Sequence, residues 1–147
     1  MSTLPGGDVT PVILVVDKDP ASLEVLTDEL RTRYGRDYAV LAESTANDAL
    51  ERLRQLADTG QEVALVLADQ WMPGMSGVDL LMAAHQLHPT ARRGLLIEWG
   101  DRSTTGPILQ ASALGHIDYY LPKPVYSPDE RFHRTVTEFL DEWWRLR

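Results

Sequence analysis

The chain has no cysteine. That absence excludes a disulfide-stapled scaffold, a thiolate metal site and a cysteine nucleophile. Basic residues are scarce as well: 14 Lys plus Arg stand against 22 Asp plus Glu, a formal net charge of −8. This balance argues against a grip on nucleic acid or on an anionic membrane, because both need basic patches. Long apolar runs are also missing. The longest, 12–16 and 63–68, are far too short to span a bilayer. Residues 1–8 hold no basic region followed by a long apolar stretch, so no secretory signal is expected. No glycine-rich phosphate loop follows the first apolar run, and no nucleophile elbow appears, which weighs against a dinucleotide enzyme, a flavodoxin-like electron carrier or a hydrolase. The 147 residues suit one compact domain that buries a core without staples, expected to be cytoplasmic.

Short apolar runs alternate with helical patterns. Residues 1–10, rich in Pro, Gly, Ser and Thr, read as a flexible arm ahead of one domain, 11–147. Strands are predicted at 12–16, 38–42, 63–68, 95–97 and 117–121. Asp19 reads as an N-cap with Pro20 at the first helical position, and Leu23, Leu26 and Leu30 as the inner face. Ser44 or Thr45 caps a second helix, whose inner face is Ala49, Leu50, Leu53 and Leu56. A turn-rich loop, 72–77, leads into a third helix at 78–87, and a fourth lies at 107–114. Ser127-Pro-Asp-Glu130 reads as a capping box for the last helix, with Phe132, Val136, Phe139, Leu140 and Trp143 on one face. Five strand–helix alternations predict a parallel sheet with helices on both faces, an α/β domain.

In such sheets ligands sit at the carboxyl ends of the strands. Asp17, Lys18 and Asp19 follow the first strand; Asp69, Gln70 and Trp71 the third; Glu98 and Trp99 the fourth; Lys123 and Pro124 the fifth. Carboxylates gathered at one edge can hold Mg²⁺, and a carboxylate facing a Lys and a metal can accept a phosphoryl group.

Val-Val-Asp at 15–17, Leu-Ala-Asp-Gln-Trp-Met-Pro-Gly-Met-Ser-Gly at 67–77 and Asp-Tyr-Tyr-Leu-Pro-Lys-Pro at 118–124 resemble a response-regulator receiver domain, and the likeness covers residues 11–140. The resemblance implies a flavodoxin-like, doubly wound sheet of five strands in the order 2-1-3-4-5, with five helices. By position, it makes Asp69 the phosphoacceptor and Asp17 the first acid of a Mg²⁺-binding pair, with Asp19 in the same acidic pocket. It implies that Trp71 offers its backbone carbonyl to the metal and that Lys123 contacts the phosphoryl group through a chain turned by a cis bond to Pro124. Tyr120 takes the place of the aromatic switch residue. The implied partners are a sensor histidine kinase or small phosphodonor, and an output domain met through the fourth helix, fifth strand and fifth helix. The same face could form a homodimer.

Two positions depart from the family pattern. Lys18 stands where the second Mg²⁺-binding acid belongs. A charged ammonium is no metal ligand; it would repel Mg²⁺ and pair with Asp17 or Asp69. At the end of the fourth strand the family has a Thr or Ser that touches phosphate. Here the switch position falls on Ile97 or Glu98, depending on register, and neither has a short hydroxyl. Ser103, Thr104 and Thr105 follow nearby. Two readings result: a phosphoacceptor at Asp69, or a phosphorylation-independent pseudo-receiver in which Lys18 replaces the acid.

A narrower likeness rests on Arg33-Tyr-Gly35, the 66–70 block and the acidic, Trp-containing last helix. It resembles receivers fused ahead of thioredoxin-reductase-like flavin oxidoreductases, and implies a fused or separate redox enzyme as output. Trp144, off the main apolar face of the last helix, reads as a docking residue. His85 and His88 read as a solvated helix face, and the tryptophans at 99 and 143 as packing.

Overall fold

The computed structural model describes residues 10–98 and 105–147. Residues 1–9 of the predicted arm, together with Trp99, Ser103 and Thr104, lie outside the described residues. The elements run β1 (Val12–Val16), α1 (Pro20–Tyr34), β2 (Ala39–Glu43), α2 (Ala46–Asp58), β3 (Val63–Asp69), α3 (Gly77–Leu87), β4 (Arg92–Ile97), α4 (Thr105–Ala113), β5 (Tyr119–Pro122) and α5 (Glu130–Leu146). The strands form one parallel sheet in the order β2-β1-β3-β4-β5. This is the flavodoxin-like α/β arrangement expected.

Strand alternation divides the core into two layers. Ile13 and Val15 of β1 join Leu26 and Leu30 of α1 and Phe132, Val136, Phe139 and Trp143 of α5 on one face. Val12, Leu14 and Val16 turn the other way and meet Leu53 of α2, Leu80 and Leu81 of α3, and Ile108 of α4. β1 and β3 are buried along their whole length, which is why their sequences are continuously apolar. Among the described residues no helix is long and apolar enough to cross a membrane.

Several boundaries shift for identifiable reasons. β4 begins at Arg92 rather than at residue 95. Arg93 is buried there because Asp118 accepts from its backbone N–H at 2.8 Å and the carbonyl of His116 accepts from its guanidinium at 2.9 Å. A charged residue with its partners supplied can sit inside a strand, and hydropathy alone does not reveal that. β5 covers Tyr119–Pro122 rather than 117–121, and α4 starts at Thr105. The cap of α5 is Asp129, not Ser127: Asp129 accepts from the N–H groups of Arg131 and Phe132, while the Ser127 hydroxyl is spent on Glu29. Thr45, not Ser44, caps α2. His88 is buried rather than solvated, with Nε2 2.9 Å from the Leu53 carbonyl, so it ties α3 to α2. Trp143 packs as expected with no exposure, and Trp144 is 52% exposed, its indole N–H donated to the Tyr38 hydroxyl at 2.8 Å.

Candidate functional site

The pocket lies where β1, β3, β4 and β5 end. Val16 pairs with Ala68, so Asp17 and Asp69 emerge side by side from adjacent strands. Both are buried, at 0% and 4% exposure. Asp17 is fully engaged. Its Oδ1 accepts the Asp19 N–H at 3.0 Å, and its Oδ2 accepts from the Ser22 hydroxyl at 2.5 Å and lies 2.8 Å from the Lys123 ammonium. Asp69 Oδ2 lies 3.1 Å from the Lys18 ammonium, while Oδ1 is 3.6 Å from Lys123. Of the two expected partners for Lys18, the structure selects Asp69.

Lys123 follows β5, and its N–H donates to the Ile97 carbonyl at 2.8 Å. That strand end already aims its side chain into the pocket. The bond to Pro124, expected to be cis, is trans; the cis bond among the described residues is Ser127–Pro128. Lys123 also holds Glu98, Nζ to Oε1 at 2.9 Å. The register explains this pairing: Ile97 lies opposite Pro122, which places Glu98 beside Lys123. Ile97 packs into the α3–α4 side of the core, where Tyr120 is also partly buried. Glu98, not Ile97, therefore reaches the pocket. Burial pulls the Lys123 ammonium toward lower pKa, but bonds to Asp17 and Glu98 and the charge of Asp69 outweigh it and raise its pKa to about 12. Lys123 is cationic throughout the physiological range.

The loop after β3 is built by small residues. Gly74 takes φ +82°, which suits the third position of a Met-Pro-Gly turn. Gly77 opens α3 so close to β3 that a Cβ would lie 2.4 Å from the Asp69 carbonyl oxygen. Gln70 fastens the same junction: its carbonyl accepts the Gly77 N–H and its side-chain oxygen accepts the Val78 N–H, both at 3.0 Å. Sequence reasoning placed Gln70 at the end of the third strand without giving it a role, and did not name Ser22. Ser22 sits three residues after the Asp19 cap, a spacing that places it in the first helical turn beside Asp17. Asp19 itself caps α1 by accepting the Ala21 N–H at 3.1 Å. Its side chain lines a cleft of about 280 Å³ at the pocket mouth with Ser22, Val25, Glu98, Lys123 and Pro124. Trp71 is 45% exposed in the loop.

A family model for the response regulator receiver domain matches residues 13–134. The chain belongs to the response regulator receiver domain family. Among solved structures, the receiver domain of an HD domain-containing protein from Pseudomonas fluorescens Pf-5 is 28% identical, with TM-score 0.76, covering 100% of this chain and 96% of that one. A CheY-like receiver domain protein from Methanospirillum hungatei JF-1 is 26% identical, with TM-score 0.72 and coverages of 93% and 98%. A receiver from Clostridium thermocellum, at 23% identity, TM-score 0.74 and coverages of 93% and 99%, shares the fold. No curated protein matches the chain. As a receiver, the chain is a regulatory domain rather than an enzyme.

Receivers commonly take Mg²⁺ beside the phosphoacceptor. The donor set of this receiver does not fit it. Asp17 already spends both carboxylate oxygens on protein donors, and Lys18 brings an ammonium onto Asp69. A divalent ion about 4 Å from that ammonium would meet roughly 8 kcal/mol of repulsion at an effective dielectric of about 20. Among the described residues no group of three or more His, Asp or Glu is placed to hold a metal.

Proposed function

We propose that this receiver is a phosphorylation-independent regulatory module that acts by contact through α4, β5 and α5. The observation that carries the reading is the Glu98–Lys123 pair at 2.9 Å. Lys123 stands where a receiver's lysine would bind an incoming phosphoryl group, and here a carboxylate of the same chain takes that bond. Glu98 also repels a phosphoryl anion approaching Asp69. Tyr120 and Ile97, packed against the α4 side of the core, join the pocket to the contact face. The partner class to test first is a fused or separate flavin oxidoreductase, on the weaker sequence likeness, with Trp144 as a docking residue. A cytoplasmic location suits such a module.

The competing reading makes Asp69 a phosphoacceptor served by a sensor histidine kinase or a small phosphodonor. It draws on Asp69 Oδ1, which lies 3.6 Å from the Lys123 ammonium, beyond hydrogen-bonding distance. The deciding experiment is incubation with acetyl phosphate and Mg²⁺ followed by intact mass. The proposal expects no phosphoryl adduct on the wild-type chain. An adduct that disappears in Asp69→Asn would overturn it and establish the phosphoacceptor.

A further inference from the structure

The pocket holds two buried carboxylates and two ammonium groups, and each carboxylate has a close cation of its own. Lys123 serves Asp17 at 2.8 Å, and Lys18 serves Asp69 at 3.1 Å. The two ammonium groups together carry the two positive charges that a divalent ion would bring. Lys18 reaches Asp69 from the second residue after β1, with its side chain 47% exposed. Ser22 completes the arrangement on Asp17, leaving neither oxygen of that acid without a protein donor.

From this geometry we infer that Lys18 is the resident cation of the pocket, holding Asp69 in the charge position that a metal would otherwise fill, so that this receiver is indifferent to Mg²⁺. The inference deepens the proposed function and rests on reading the pocket as an altered receiver site. It concerns the metal, whereas the proposed function concerns the phosphoryl group. The physical reason is the sign and reach of one side chain. An acid at position 18 would add a third carboxylate around a common centre and demand a cation. An ammonium there satisfies Asp69 and repels one.

The test is a Mg²⁺ titration of the whole chain by calorimetry, paired with thermal unfolding in chelator and in millimolar Mg²⁺. The wild type is expected to show no saturable heat and the same melting temperature in both buffers. Lys18→Asp is expected to gain Mg²⁺ affinity by at least about tenfold and to melt higher with the ion than without it. Saturable Mg²⁺ binding by the wild type at submillimolar concentration overturns the inference. So does a folded Lys18→Asp chain that gains nothing. If three clustered acids unfold that variant without metal, Lys18→Asn provides the reading. Its neutral oxygen donor removes the repulsion, so measurable Mg²⁺ binding supports the assignment and none overturns it. Phosphoryl labelling is scored separately by mass, so Asp69 labelled in chelator would defeat the proposed function and leave the metal assignment standing.

Discussion

Glu29 of α1 and His133 of α5 meet across the helix interface, Oε1 to Nε2 at 2.8 Å, with both side chains buried. Ser127 bonds the other Glu29 oxygen, and His133 Nδ1 lies 3.2 Å from the Tyr34 hydroxyl. This polar clasp sits within an otherwise apolar layer and fixes α5 against α1. It also binds the loop after β5 to both helices.

The clasp makes stability depend on acid. Burial alone would raise the Glu29 carboxyl, but the bonds from Ser127 and His133 outweigh it and hold the group below its ordinary 4.5. A depressed carboxyl contributes stability that is fully present above pH 4.5 and is lost as pH falls through the lower folded value. Leaving a buried polar group without its hydrogen-bond partner costs about 1–3 kcal/mol. Glu29→Gln is therefore expected to be clearly destabilised at neutral pH. Its deficit against the wild type should shrink below pH 4.5 in urea unfolding series. A deficit that does not change with pH would remove the carboxylate from this role.

Lys123 is the cation paired with Asp17, at 2.8 Å. Lys123→Met should cost about 3–5 kcal/mol, because it leaves a buried carboxylate uncompensated. Adding Asp17→Asn should recover most of that loss, since the charge left behind is then gone. In the wild type, the raised Lys123 pKa gives a contribution that is complete below pH 10.5 and fades as pH rises through about 12. Chemical denaturation of the single and double variants reads the coupling directly. A double-variant loss equal to the sum of the Lys123→Met and Asp17→Asn losses would show that the pair carries no coupling.

Gly77→Ala should destabilise the chain by about 1–3 kcal/mol, because its Cβ would press on the backbone of Asp69 and Gln70 rather than on a movable side chain. Amide resonances of Asp69, Gln70 and Val78 should shift with it. Gly106→Ala is the matched comparison. It lies in α4, meets nothing within 4 Å, and should be neutral or stabilising by up to about 1 kcal/mol. Thermal unfolding of the two variants should move in opposite directions or by very different amounts.

The buried strands were legible because β1 and β3 are apolar on both faces, and a parallel sheet between helix layers requires that pattern. The capped starts of α1 and α2 and the inner face of α5 were legible from local chemistry. The start of β4 was not, because Arg93 is paid for by Asp118 and the His116 carbonyl, partners distant in sequence. Ser127 looked like a cap by spacing, yet Glu29, 98 residues earlier, claims its hydroxyl. His88 looked solvated by helical position, yet the Leu53 carbonyl takes its ring nitrogen.

The sequence by itself determined the fold class, the edge of the sheet where Asp17, Asp69 and Lys123 gather, and the charge reversal at Lys18. These follow from local patterning and from residue identity at strand ends. Tertiary structure decided how the charges pair. Which carboxylate Lys18 takes, whether Ile97 or Glu98 enters the pocket, and which acid holds Lys123 depend on strand register and side-chain reach across β1, β3, β4 and β5. Ion pairs act over a few ångströms, so residues far apart in the chain can settle them only after the sheet has brought them together.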